Sequence, residues 1–299
     1  MITVPTITEV RRRCDDTRRG GGTVALVPTM GFFHDGHRSL MRAARAEADL
    51  VVVSLFVNPT QFGPDEDLDG YPRDLDGDAT AATAEGVDVL FVPSVTEMYP
   101  DPPRTTVHVD GLTDRLCGAS RPTHFDGVAT VVTKLFSIVG PCRAYFGRKD
   151  AQQLAVIRRL VDDLNLPVAV IGCPLVREPD GLARSSRNAY LTPDERDAAT
   201  VLWRALTAAA DAIRAGERDG ATLEAVAQST IRSEPRVRLD YAQLVDAHTM
   251  HPVAQVDGEL VLAVAAFVGR ARLIDNLTIT AVGAEVETDL GVVAEEQTA

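Results

Sequence analysis

Two histidines three residues apart, His34 and His37, stand in the string Pro28-Thr-Met-Gly-Phe-Phe-His34-Asp-Gly-His37-Arg-Ser-Leu40. On one face of a helical first turn, both imidazoles can donate a hydrogen bond to a single anion. Gly31 and Gly36 carry no side chain, so backbone can pass close to a ligand there. A helix start adds unpaired N–H groups and a partial positive charge, and both favour phosphate. Three further polar strings carry groups that bind anions or hydroxyls: Asn58-Pro-Thr-Gln61, Gly147-Arg-Lys-Asp150 and Ala183-Arg-Ser-Ser-Arg187. His-x-Gly-His alone is weakly specific. It also reads as an ordinary turn, or as half of a zinc site. His108, His124, His248 and His251 show no companion spacing that would supply the remaining zinc ligands.

These groups need elements to hold them. Val24-Ala-Leu-Val27 reads as a buried strand, and Leu40, Ala43, Ala44 and Ala48 recur at helical spacing. The histidines therefore sit on a strand-to-helix turn. Leu50-Val-Val-Val-Ser-Leu-Phe-Val57 is almost wholly apolar, as in a parallel strand covered on both faces, and it runs into Asn58. Residues 79–85 are weakly helical, and Val87-Asp-Val-Leu-Phe-Val92 is a third strand. Residues 93–123 are expected to be loops with short strands. Val128, Val131, Val132, Leu135, Phe136 and Val139 make a helical stripe. Cys142-Arg-Ala-Tyr-Phe146 is a strand ending at Gly147. Leu154, Ile157, Leu160, Val161 and Leu164 mark a helix, and Val168-Ala-Val-Ile171 returns to the sheet.

This alternation predicts an α/β domain over residues 1–175, a Rossmann-like, doubly wound parallel sheet. Ligands of such sheets sit beyond the carboxyl ends of the strands, where the polar strings fall. After Val176 the pattern changes. Thr192 caps a helix with Pro193 at its first position, and Val201, Leu202, Ala205, Leu206 and Ala209 continue it. A second helix runs near 222–233. Leu239-Asp-Tyr-Ala-Gln-Leu-Val and Leu260-Val-Leu-Ala-Val read as strands. Residues 176–285 are expected to form a smaller α+β lid domain, and 286–299 a frayed acidic tail. Everything before about Gly20 reads as one short helix.

The net charge of −13 argues against a bulk grip on nucleic acid, so anion binding needs locally concentrated positive groups. No apolar run is long enough to span a bilayer, and the N-terminal residues lack a signal-peptide pattern. Four cysteines without a C-x-x-C pair fit a reducing cytoplasm.

The strings PTMG…HDGH, FVNPTQF, YPR, RPTHFDGV, FGRKDAQQ, VRE.DGLARSSRN and GRARLIDN run in order from about residue 24 to residue 279. In this they resemble the pantothenate synthetase (pantoate–β-alanine ligase) family of the adenylyl-transferring HxGH superfamily. The resemblance implies ATP-dependent joining of pantoate to β-alanine through a pantoyl-adenylate, with AMP and pyrophosphate released. It also implies Mg2+, a cytoplasmic location and a homodimer, with no nucleic-acid or membrane partner. Carried over residue by residue, it assigns His37, His34 and Lys149 to catalysis. Met30, Gly31, His34, His37, Gly147, Lys149, Asp150, Val176, Arg184, Ser185, Ser186 and Arg187 are assigned to ATP. Gln61, Gln153 and Asn58 are assigned to pantoate or β-alanine, and Asp78 to the metal. Arg121 and His124 could add positive charge over the phosphates.

The chain departs from the family pattern in places. Arg148 stands where the family usually has Glu, and Arg184 where it has Met. Arg184 could reach a phosphate or point to water. Gly77 replaces a carboxylate beside Asp78, and Ala81 occupies a further position sometimes assigned to the metal. A different adenylyl- or cytidylyltransferase would share the fold, but Gln61, Gln153 and RPTHFDGV argue against it. An aminoacyl-tRNA synthetase would need a basic RNA-binding appendage. A nucleotide sensor that has lost catalysis is the alternative from outside the enzymes, motivated by Arg148, Arg184 and Gly77.

Overall fold

The computed structural model describes residues 1–64, 66 and 68–294. Two compact units divide them. The first is Met1–Gly147 with Val156–Cys173; the second is Arg148–Ala155 with the described residues from Pro174 onward.

Six strands form the sheet of the first unit: β1 Ile2–Val4, β2 Val24–Thr29, β3 Leu50–Leu55, β4 Val89–Phe91, β5 Cys142–Gly147 and β6 Val168–Cys173. All neighbours pair parallel, in the order β1-β4-β3-β2-β5-β6. Ala25, Val27, Val51 and Val53 share one cluster with Leu40, Met41 and Ala44 of helix α2, Asp35–Glu47, whereas helix α1 is Ile7–Arg19. Leu26 and Val52 alternate with them on the other face and are equally inaccessible. Burial on both faces is why these strands read as unbroken apolar runs. Leu40 and Met41 each contribute about 1.5–3 kcal/mol by leaving water.

The strand order reverses between β2 and β5. From β2 the sheet grows through β3 to β4; from β5 it grows the other way to β6. The crevice beyond the carboxyl ends of β2 and β5 is the position that favours a ligand. β2 leads into Met30 and the histidine turn, and β5 ends at Gly147.

The remaining helices are α3 Leu75–Ala84, α4 Val95–Met98, α5 Cys117–Ser120, α6 His124–Val139, α7 Ala151–Asp163, α8 Pro193–Ala199, α9 Val201–Arg214 and α10 Gly220–Arg232. None of the described helices is long and apolar enough to cross a membrane. In the second unit β8 Val237–Asp246, β9 Gly258–Val268, β10 Ala271–Val282 and β11 Glu285–Asp289 make an antiparallel sheet, after the short β7 Val176–Arg177. Helices α9 and α10 cover that sheet with Leu202, Leu206, Ile213, Leu223 and Ile231.

Four expectations are corrected. Ile2–Val4 is an edge strand rather than part of a helix; three residues are too few to show a period. Residues 93–123 hold the short helices α4 and α5 and no strand among those described. The helix begun by the Thr192 and Glu195 capping box breaks at Thr200, whose hydroxyl donates to the Asp197 carbonyl at 2.7 Å. The tail is not frayed over 286–294. β11 pairs with β10, and β12, Val292–Val293, pairs parallel with β7. Residues 295–299 of that expected tail lie outside the described residues.

Candidate active site

The histidine turn is held from behind. Past β2 the backbone turns through Gly31 at φ 87° and Phe32 at φ 54°. A side chain at position 31 would start 2.9 Å from an Asp78 carboxylate oxygen and 3.1 Å from Leu55 Cδ2, so only glycine fits that turn. Asp78 comes from α3. Its two oxygens accept the N–H groups of Phe32, at 2.8 Å, and Phe33, at 2.6 Å. Burial pushes the Asp78 carboxyl above the usual carboxylate range, with those two N–H groups pulling the other way. Asp78 is 3% exposed. It braces the turn. Among the described residues, no group of three or more His, Cys, Asp or Glu side chains could hold a metal ion.

Two residues on, His34 caps α2. Its Nδ1 accepts the Gly36 N–H at 3.2 Å, and His37 Nδ1 accepts the His34 N–H at 3.4 Å. The rings lie 4.1 Å apart between centroids. A backbone N–H can only donate, so both Nδ1 atoms are acceptors and the proton of each neutral ring is on Nε2. The pair is thereby set as two hydrogen-bond donors and not as two bases.

Gln61 is fixed with equal definition. Asn58, 1% exposed, donates from Nδ2 to the Gly127 carbonyl at 3.1 Å and to Gln61 Oε1 at 3.2 Å. Its Oδ1 accepts the hydroxyls of Thr60 and Tyr99, each at 3.0 Å. The Gly127 carbonyl can only accept, which settles the Asn58 amide orientation and, through it, that of Gln61. Gln61 Nε2 then faces Met30 Sδ at 2.9 Å. Asn58 therefore orients Gln61, a role the sequence did not specify. Gly127 is glycine for contact reasons: a Cβ there would lie 2.3 Å from the Thr60 carbonyl oxygen.

Arg121 and His124 do not add charge as expected. The Arg121 guanidinium binds Glu66 through Nε at 2.5 Å and Nη2 at 2.6 Å. Burial would raise the Glu66 carboxyl, but its bonds to Arg121 outweigh this and hold it below its ordinary value. His124 Nδ1 lies 2.8 Å from the Gln61 carbonyl and Nε2 lies 3.1 Å from Arg121 Nη1. A carbonyl accepts and a guanidinium donates, so His124 is a neutral Nδ1–H tautomer. The RPTHFDGV string thus backs the Gln61 turn. Periodicity carries no sign of that role, because its partners are 55 and 63 residues away.

In the second unit, Arg148–Asp150 is a single 3-10 turn ahead of α7. Lys149 Nζ sits 3.6 Å from Asp150 Oδ1. Gln153 is half-buried in the first turn of α7. Arg148 pairs with Asp289 at 3.3 Å. The later basic loop is organised by Glu178, which accepts from Asn188 Nδ2 at 3.0 Å and Arg196 Nη2 at 2.7 Å. Arg184 Nη1 lies 3.8 Å from the same carboxylate, and its N–H donates to the Val176 carbonyl at 2.9 Å. Ser185 Oγ accepts the Arg187 N–H at 3.3 Å, and Ser186 is buried.

The family model for pantoate-beta-alanine ligase matches residues 2–278. The chain belongs to that family. A pantothenate synthetase of Caldicellulosiruptor saccharolyticus is 52% identical over 279 residues, covering 93% of this chain and 99% of that protein. Among solved members of the ligase family, pantothenate synthetase from Thermus thermophilus superposes with a TM-score of 0.88. It is 48% identical and covers 93% of this chain and 99% of its own. A pantoate-beta-alanine ligase from Francisella tularensis, solved with β-γ ATP and β-alanine, gives a TM-score of 0.76 at 34% identity, covering 92% and 97%.

Proposed function

We propose that this ligase-family member joins (R)-pantoate to β-alanine at the expense of ATP. A pantoate carboxylate oxygen attacks the α-phosphorus, the bond to the β-phosphate oxygen breaks, and pyrophosphate leaves. The β-alanine amine then attacks the acyl carbon of the pantoyl-adenylate. The bond between the acyl carbon and the oxygen bridging to phosphorus breaks, AMP leaves with that oxygen, and the amine loses a proton.

The observation that carries this reading is the pair of backbone N–H groups directed at the Nδ1 atoms of His34 and His37, which places the proton of each neutral ring on Nε2. The first step joins two anions, so it needs charge stabilisation and alignment, and an attacking carboxylate has no proton to give up. Two Nε2–H donors at the start of α2 meet that need. Lys149, Arg187 and the hydroxyls of Ser185 and Ser186 serve the other phosphate oxygens. Met30, Gly31, Gly147, Asp150 and Val176 are assigned to the nucleotide, and Arg184 to either phosphate or solvent. Gln61, oriented by Asn58, and Gln153 serve the hydroxyls of pantoate. A substrate lacking a hydroxyl would strand such an amide and be rejected. Magnesium would enter with ATP and help neutralise the phosphates, and Asp78 is the carboxylate assigned to it. A cytoplasmic homodimer completes the reading.

Pyrophosphate exchange into ATP tests it. Exchange that requires pantoate is the expected result. Tight ATP binding with no exchange would favour a nucleotide sensor instead. A second result is expected at Gly127. Gly127→Ala must push α6 away from residues 60 and 61, an overpacking that costs about 1–3 kcal/mol. The Michaelis constant for pantoate should rise severalfold while that for ATP changes little. Equal changes in both would mean that Gln61 does not serve pantoate.

A further inference from the structure

Arg177 of the VRE string and the whole GRARLIDN string have no part in the reaction as described, yet they meet at one point inside the second unit. Arg177 is wholly buried, and Asp275 is 2% exposed. Arg177 Nη1 binds Asp275 Oδ2 at 2.7 Å and Nη2 binds Oδ1 at 2.9 Å, a bidentate pair. The guanidinium also donates to the carbonyls of Gly181, at 2.9 Å, and Leu290, and it lies 4.3 Å over the Trp203 ring. On its far side Asp275 Oδ1 accepts the Asn276 N–H at 2.7 Å. Asn276 Nδ2 then donates to two carbonyls at once, those of Arg148 and Lys149, each at 2.9 Å. Both partners can only accept, so the amide orientation is unambiguous.

A buried amide is costly unless its hydrogen bonds are made, and a core position on a β-strand is ordinarily apolar. Asn276 is 4% exposed on β10, between Asp275 and Leu277. Its side chain makes bonds that neither the strand ladder nor the sheet core requires. They clamp the two successive peptides on either side of the Lys149 α-carbon, from which the ammonium side chain projects. The same ionic pair holds the Gly181 turn of the loop that carries Ser185 and Arg187.

We propose that Asn276, locked by the pair of Arg177 and Asp275, is a positioning residue for adenylyl transfer: it sets the Arg148–Asp150 turn and thereby aims Lys149. This rests on the assignment of Lys149 to ATP phosphate. Asn276 touches no substrate. It acts by removing the freedom of a turn that would otherwise wander by the ångström or so that costs a reaction its alignment.

The test is a double-mutant cycle of Asn276→Ala and Lys149→Ala on the intact protein, read by pantoate-dependent pyrophosphate exchange. Lys149→Ala should lower kcat/KM for ATP by about 10²-fold, and Asn276→Ala by about 10-fold. The double variant should be no slower than Lys149→Ala alone, because the two act through one group. Aminolysis of added pantoyl-adenylate by β-alanine should stay within about twofold of the parent in Asn276→Ala, since it expels no pyrophosphate; a general structural defect would slow both half-reactions together. Asn276→Asp keeps the volume but turns an oxygen on the two carbonyls. It should match or exceed the loss in Asn276→Ala, and it serves in its place if the alanine variant does not fold. Multiplying losses in the cycle, equal slowing of both half-reactions, or unchanged exchange in Asn276→Asp would each overturn the proposal. If Lys149→Ala alone leaves kcat/KM for ATP intact, the assignment of Lys149 fails first and takes this inference with it.

Discussion

His37→Ala should slow pantoate-dependent pyrophosphate exchange by about 10²–10³-fold, the loss expected when one donor to developing charge is removed. The structure adds a signature to that number. His37 Nδ1 also accepts the His34 N–H at the start of α2, so alanine removes a cap bond, costing about 0.5–2 kcal/mol of stability. The fall in rate should therefore far exceed the fall in melting temperature. His37→Gln, which can still present an N–H, should recover part of the rate. A base would show otherwise. If the parent rate rises with pH through the ordinary histidine range and His37→Gln is as slow as alanine, His37 removes a proton and the donor assignment is wrong. A rate near that of the parent in His37→Ala would take the residue out of the reaction.

The largest loss of stability is expected at Asp275. Asp275→Asn keeps the shape but leaves the Arg177 cation without a counter-charge at 0% exposure. Breaking one side of a buried pair costs about 3–5 kcal/mol, a large share of the 5–15 kcal/mol that holds a typical domain folded. Urea unfolding should show the midpoint falling steeply with little change in slope. Glu9→Gln is the control. It breaks an ion pair with Arg12 of similar length, 2.8 Å, on an exposed helix face, and it should leave the midpoint where it is. Comparable shifts in the two variants would mean that water reaches Arg177.

The contrast between these pairs explains what could be read from the residues alone. Strands β2 and β3 are legible because both their faces are covered, which writes a largely apolar run into the chain. The histidine turn is legible because glycine and histidine spacing is local. β1 is not, since three residues become a strand only when Val89 to Phe91 lie alongside. β11 and β12 hide for a different reason. Glu285 to Asp289 alternate exposed with half-buried positions and are charged, so composition alone reads as a tail. The supporting groups of the site were the least legible. Asp78, Glu66, His124 and Asn276 act on groups 45 to 128 residues away, a coupling that no period or motif encodes. His124 also misled by type: a histidine beside an arginine suggests a basic patch, whereas this ring is neutral because the arginine donates to it.

The placement of Arg177 has a consequence for how the second unit forms. During synthesis this cation emerges 98 residues ahead of Asp275 and 113 ahead of the Leu290 carbonyl. At roughly 5–20 residues per second it waits about 5–20 s on the ribosome, hydrated and unable to enter an interior that has no anion to receive it. Helices α8 to α10 can form in that interval, but the core beneath them cannot dry. Its closure is one late event triggered by the arrival of β10, so a nascent chain stalled before that strand would remain a loose, water-filled intermediate exposed to proteases.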